Sequence, residues 1–95
     1  MTDRQILRVI GRNVKAARVS ADVTQECLAE LVGVHWQTVS YIETGKVPCS
    51  ILTLLKISQV LEVSANRLFD GVGEADKKRI AEIKVAMKRK RKASS

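Results

Sequence analysis

VTQECLAELVGVHWQTVSYIETGK, residues 23–46, holds two short helical patterns joined by a turn at Gly33. In the first, Leu28, Ala29 and either Leu31 or Val32 form an apolar face behind Thr24, whose hydroxyl suits an N-cap. Gly33 stands where a left-handed residue closes a helix and turns the chain. The second pattern begins near His35, turns Val39 and Ile42 inward, and ends at Thr44-Gly45. Ala29 is small where the second helix must cross closely. Two helices joined this tightly have helix-turn-helix spacing. A plain helical hairpin would bury the same inner residues, so the outer face decides. There the second helix presents Trp36, Gln37, Ser40 and Tyr41, with Thr44 one turn below and no Lys or Arg before Lys46. Such groups can meet base edges and thymine methyls in a major groove.

Outward from this pair the chain continues as helices. From Asp3 to about Arg18, Ile6, Leu7, Ile10, Val14 and Ala17 recur at three- and four-residue intervals, the mark of one helix face. After a loop at Pro48 and Cys49, Ser50 can cap a fourth helix whose apolar stripe is Ile51, Leu54, Leu55 and Ile57 to Leu61. Ser64 can cap a short fifth helix, SANRLF, expected to tuck Leu68 and Phe69 into the core. Asp70-Gly-Val-Gly73 reads as a hinge, and EADKKRIAEIKVAMKRKRKASS as a separate charged helix with a frayed end. The expected architecture is all-α: a compact five-helix domain over 1–70, then a Gly hinge and basic C-terminal helix over 71–95.

Composition narrows the function. A chain of 95 residues buries one core and has little room for a deep cleft. Its 45% hydrophobic content includes only Trp36, Tyr41 and Phe69 as aromatics, so the core must be aliphatic. One His and two distant cysteines, Cys27 and Cys49, make neither a zinc ligand set nor a disulfide framework, and both thiols are read as reduced. With no Gly-rich phosphate loop either, no enzyme and no cofactor are expected. No run approaches a membrane span or a signal peptide, so a cytoplasmic protein is expected. The net charge of +7 is uneven. Residues 1–73 carry eight basic and seven acidic groups, whereas residues 74–95 carry nine and three. The tail makes the protein basic.

The motif TQ-E-x-LA with Gly33 four residues after Ala29, followed by T-V-S-x-I-E-x-G and S-I-x-T-L-L-K-I, resembles the Cro/C1-type (XRE) helix-turn-helix family over roughly residues 8–69. The resemblance implies a lambda-repressor-like DNA-binding domain. It implies that Trp36, Gln37, Ser40 and Tyr41 read bases or line the groove, and that Gln25, His35, Thr38, Thr44, Lys46 and Arg12 contact phosphates. It further implies a partly buried salt bridge between Arg18 and Glu43, tying the first helix to the end of the third. Ala29, Gly33, Val39 and Ile42 would pack the motif. Lacking Arg and Lys, the recognition helix has no bidentate guanine reader, so Gln37 is expected to favour adenine.

One short helix reads few bases, so a homodimer on a two-fold symmetric site in double-stranded DNA is expected. The dimer could form through the fifth helix or through a tail seam of Ile80, Ile83 and Met87, which recur at i, i+3 and i+7. The expected activity is a sequence-specific transcriptional regulator, a repressor by resemblance, with no small-molecule ligand. An antitoxin-like interaction module, whose tail grips a protein partner, is the rival. A nonspecific polyanion binder driven by the basic run 88–92 is a weaker third.

Overall fold

The computed structural model describes residues 1–94, and their side chains apart from those of 74–77 and 91–94. Arg91, Lys92 and Ser95 of the basic tail therefore lie outside the described side chains. The chain forms α1 (Asp3–Ser20), α2 (Gln25–Val32), α3 (Trp36–Glu43), α4 (Ile51–Val60), α5 (Ala65–Leu68) and α6 (Glu74–Ser94), with no strand among the described residues.

Each of the first five helices starts where a side chain takes up a first-turn N–H. Thr2 and Gln5 form a reciprocal capping box on α1. Thr24 accepts from Cys27, Ser50 from Thr53 and Ser64 from Arg67. Such caps contribute about 1 kcal/mol each and set where a helix begins. Helix ends are marked by left-handed residues: Gly33 at φ 84° after α2, and the non-glycine residues Asp22 and Glu62 at φ 57° and 55° after α1 and α4.

Helix α3 packs on both α1 and α2, while α4 packs on α2 and α5, and α5 returns to α1. Val14 and Ala17 of α1, Leu28, Ala29 and Val32 of α2, Val39 and Ile42 of α3, Leu54, Ile57 and Leu61 of α4 and Leu68 of α5 make one core. Hydrophobic burial of such a side chain contributes about 1.5–3 kcal/mol.

Helices α1 and α3 approach closely at Gly11. A Cβ at Gly11 would stand 2.3 Å from the Ile42 carbonyl oxygen and 2.7 Å from that of Glu43. Only glycine lets the two backbones touch there. One turn earlier Arg8 lies against Gly45, itself left-handed at φ 71°. Helix α1 is thereby seated on the C-terminal end of α3. Asn13 anchors its other side, donating both amide hydrogens, to the carbonyls of Leu68 at 2.9 Å and Asp70 at 2.8 Å.

Three apolar side chains depart from the expected burial. Ile51 is 87% exposed, Leu55 47% and Phe69 42%. Helix α4 turns only Leu54, Ile57 and Ser58 fully inward, toward the core it shares with α2 and α5. Phe69 is the C-cap of a four-residue helix, where Leu68 already fills the core position. Together with Leu52, these residues leave an apolar face on the body.

The described side chains of α6, from Lys78 to Lys90, are all exposed, including Ile80, Ile83 and Met87.

Candidate nucleic-acid interface

Helix α3 is held from beneath and presents its other side to solvent. Val39 and Ile42 are buried, while Trp36, Gln37 and Tyr41 are exposed, and Ser40 and Thr38 are half-buried at the flanks. The tight turn before it ends α2 through N–H groups of Gly33 and Val34, both donating to the Ala29 carbonyl. That arrangement brings the N-terminus of α3 out beside α2.

His35 is the N-cap of α3. Its Nδ1 accepts the N–H of Gln37 at 3.2 Å and so closes the helix end. Nε2 is then the polar ring atom not used in the cap. The Trp36 ring lies beside it, with centroids 5.8 Å apart. Trp36 is 48% exposed, a broad apolar surface at the leading edge of the helix.

Along the outer face the side chains bond one another. Gln37 Nε2 donates to Tyr41 Oη at 2.8 Å, an i, i+4 pair, and the Lys46 ammonium stands 5.6 Å from the centre of the Tyr41 ring. The Thr44 hydroxyl donates back to the Ser40 carbonyl at 2.9 Å and closes the C-terminus of the helix. Lys46 is therefore the nearest cation to this face in sequence, and its charge is brought to it by the turn at Gly45.

Beneath the C-terminal end, Glu43 is buried with its side chain 1% exposed and is clasped by Arg18 through Nε at 2.6 Å and Nη2 at 3.1 Å. Arg18 Nη1 also donates to the Val23 carbonyl at 2.8 Å. Gln25, expected at a phosphate, turns its amide toward this network and donates to Glu43 Oε1 at 3.1 Å. Its own backbone N–H and that of Glu26 remain at the open start of α2, beyond the reach of intrahelical acceptors. Arg12 is exposed on α1.

Gly11 and Asn13 were not singled out by sequence reasoning and Gly45 was named only as the end of the second motif helix, yet all three position α3 or lock α1 in place. Local spacing gave a signal only for Gly45, which ends the T-V-S-x-I-E-x-G stretch. Cys49 is half-buried and its thiol is pushed up by desolvation, whereas Cys27 is exposed. Among the described residues no group of His, Cys, Asp and Glu could hold a metal ion, and no helix is long and apolar enough to cross a membrane.

Comparison with known proteins places this geometry. Residues 14–68 match the family model HTH_3, described as helix-turn-helix. The restriction-modification controller protein C.AhdI from Aeromonas hydrophila is similar at 28% identity and a TM-score of 0.64, over 66% of this chain and 96% of that one. An HTH_3 family transcriptional regulator from Vibrio cholerae is 31% identical with a TM-score of 0.68, over 75% of this chain and 40% of that one. The clp gene regulator ClgR from Corynebacterium glutamicum shares the fold, at 21% identity and a TM-score of 0.68 over 86% of this chain and 87% of that one. Curated proteins give no match.

Proposed function

Since the chain belongs to the HTH_3 helix-turn-helix family, whose fold is that of DNA-binding transcriptional regulators, we propose that it is a sequence-specific regulator that sets α3 into the major groove, one α3 per half-site of a two-fold symmetric operator. The observation that carries this is the outer face of α3. Exposed Trp36, Gln37 and Tyr41, with Ser40 beside them, stand on a helix whose inner face is fixed by Val39, Ile42 and the Gly11 contact. Side chains that must discriminate bases need that rigid seating.

Affinity comes from around the helix. His35 Nε2, Thr38, Lys46 and the open N-terminus of α2 at Gln25 lie where phosphates flank an α3 in the groove, with Arg12 and Thr44 further out. Gln25 has a double task in this arrangement, its side chain steadying Glu43 and its backbone facing the phosphate. Glu43 itself is kept from repelling the backbone by the Arg18 guanidinium. The domain responsible is 1–70, and the hinge and α6 over 71–95 add a nonspecific positive charge. Repression, by occupying an operator that overlaps a promoter, is the sign of action that the resemblance implies. A promoter-reporter assay with the gene supplied in trans tests it.

Pairing of two copies is supported by the exposed apolar side chains Ile51, Leu52, Leu55 and Phe69, of which Ile51 and Phe69 line a cavity of about 120 Å³ together with Leu7, Ile10 and Leu54. A second copy is the occupant that fits, since a two-fold contact lets one self-complementary patch cover itself. The α6 seam is a poorer dimer surface, because symmetric pairing would bring together two tails with nine basic and three acidic groups each.

The test is a binding titration against a random-sequence DNA library at two salt concentrations, with the intact protein and Gln37→Ala. A two-fold site should emerge, with the variant losing about 1–3 kcal/mol of preference at one position per half-site. Equal binding to every sequence, collapsing with salt, would leave only the basic tail as the binder.

A further inference from the structure

We infer that Tyr41 is a positioning residue that makes Gln37 select adenine over guanine, by occupying one of the two amide hydrogens of Gln37. The inference rests on α3 reading bases. Its own basis is the contact between Gln37 Nε2 and Tyr41 Oη at 2.8 Å, with Lys46 5.6 Å from the ring centre on the same side chain.

A free glutamine amide is ambiguous toward purines. Its carbonyl oxygen and one N–H match adenine, which offers a donor at N6 and an acceptor at N7. Its two N–H groups together can instead approach guanine, which offers acceptors at both O6 and N7. The amide can also flip, exchanging acceptor for donor. When Nε2 donates one hydrogen to the Tyr41 oxygen, a single N–H and the whole of Oε1 remain for the base. That pair is complementary to adenine and leaves one guanine acceptor facing the amide oxygen, where two lone-pair atoms repel. The flip is opposed as well, since the hydroxyl would have to turn round and donate to Oε1, giving up its own hydrogen bond to water or a phosphate. Tyr41 can hold this position because it lies one helical turn from Gln37 on the same face and because Lys46 steadies its ring. The tyrosine O–H hydrogen stays available to water or a phosphate.

Tyr41→Phe removes the acceptor and keeps the ring, the lysine contact and the apolar surface, so the fold is not at stake; a thermal melt of the variant alongside the intact protein verifies that. The experiment measures relative affinity for the selected operator and for operators carrying guanine in place of the adenine opposite Gln37, using the intact 95-residue chain, Tyr41→Phe, Gln37→Ala and the double variant. In Tyr41→Phe the adenine-over-guanine ratio should fall about five-fold at that position, while ratios at other positions stay as they were. In the Gln37→Ala background the same tyrosine change should have no effect on that ratio. If intact protein prefers adenine, Gln37→Ala abolishes the preference and Tyr41→Phe leaves it untouched, the inference is overturned while base reading by α3 stands. A loss confined to a different position in Tyr41→Phe would mean that Tyr41 acts on the DNA directly and not through Gln37, and would also overturn it. If intact protein shows no preference at any position, base reading itself fails and the inference falls with it.

Discussion

Arg18 grips Glu43 with both arms of its guanidinium fork, Nε 2.6 Å from Oε2 and Nη2 3.1 Å from Oε1, at a point where the Glu43 side chain is 1% exposed. The third donor, Nη1, reaches the Val23 carbonyl, and Gln25 adds a further hydrogen bond to the same carboxylate. One ion pair thus ties α1, the entry to α2 and the end of α3. Removing one member strands a buried charge. Arg18→Ala is expected to lower stability by about 3–5 kcal/mol, whereas replacing both members, as Arg18→Met with Glu43→Leu, should recover most of that loss. Chemical denaturation midpoints decide it, and a single-variant loss below about 1 kcal/mol would show that the pair is of little consequence.

Gly11 and Gly33 are both glycines beside the motif, yet alanine should affect them very differently. At Gly33 the left-handed backbone is the whole obstacle, since a Cβ would meet nothing within 4 Å, and the cost should be about 1–2 kcal/mol. At Gly11 the added carbon would stand 2.3 Å from a backbone oxygen that cannot swing away. Gly11→Ala must push α1 off α3, and a loss larger than that of Gly33→Ala is expected. Equal melting temperatures for the two variants would contradict the close crossing.

Asn13 spends both amide hydrogens on carbonyls, those of Leu68 and Asp70. Asn13→Ala loses two hydrogen bonds at a half-buried site, about 1–3 kcal/mol in all. Asn13→Asp should be worse despite its similar shape, because a carboxylate would then face two carbonyl oxygens with no donor between them. Denaturation of the two variants at neutral pH gives the order, and an aspartate variant as stable as the intact protein would place the side chain elsewhere.

What the sequence could and could not disclose follows from how far apart the interacting atoms lie along the chain. Helix faces were legible because Val14 and Ala17, or Val39 and Ile42, repeat locally with the helical period, and Thr24, Ser50 and Ser64 mark starts by their own chemistry. The set exposed on α3 was legible for the same reason. The partners of Asn13 are 55 and 57 positions away, and Gly11 meets Ile42 and Glu43 only after folding, so neither left a local pattern. Periodicity also overstated burial at Ile51, Leu55 and Phe69: it identifies an apolar stripe without saying whether this chain supplies enough neighbours to cover it. The inward turn of Gln25 toward Glu43 was hidden because a glutamine at a helix start serves a phosphate or a buried carboxylate equally well.

The two thiols should differ in reactivity. Cys27 is exposed, while desolvation raises the pKa of Cys49 above the ordinary thiol value and so reduces its thiolate at any given pH. Alkylation of the folded protein near pH 8 should modify Cys27 first. The sign for stability follows from the same shift: the fold favours the protonated Cys49, so this site's contribution holds below the ordinary thiol pKa and is lost as the pH rises through the raised value. Peptide mass mapping over time checks the order, and faster labelling at Cys49 would reverse it.

The tail and the body should contribute separable parts of binding. Changing Lys88, Arg89 and Lys90 to Gln removes charge from a stretch of α6 whose described side chains are all exposed. If those groups only attract phosphates, affinity falls for every sequence alike, and the slope of log affinity against log salt becomes shallower by up to about 3. The pattern of preferred bases should survive, because it belongs to α3 in the 1–70 domain. Ile51→Glu with Leu55→Glu should do the reverse: the salt slope per half-site is kept, but the apolar face can no longer meet its copy, so binding to a two-half-site operator loses its steep concentration dependence. Sedimentation of both variants beside operator titrations separates the cases. Were the tail variant to lose base preference, or the α4 variant to stay dimeric, the division of labour between tail charge, α4 pairing and α3 reading would have to be redrawn.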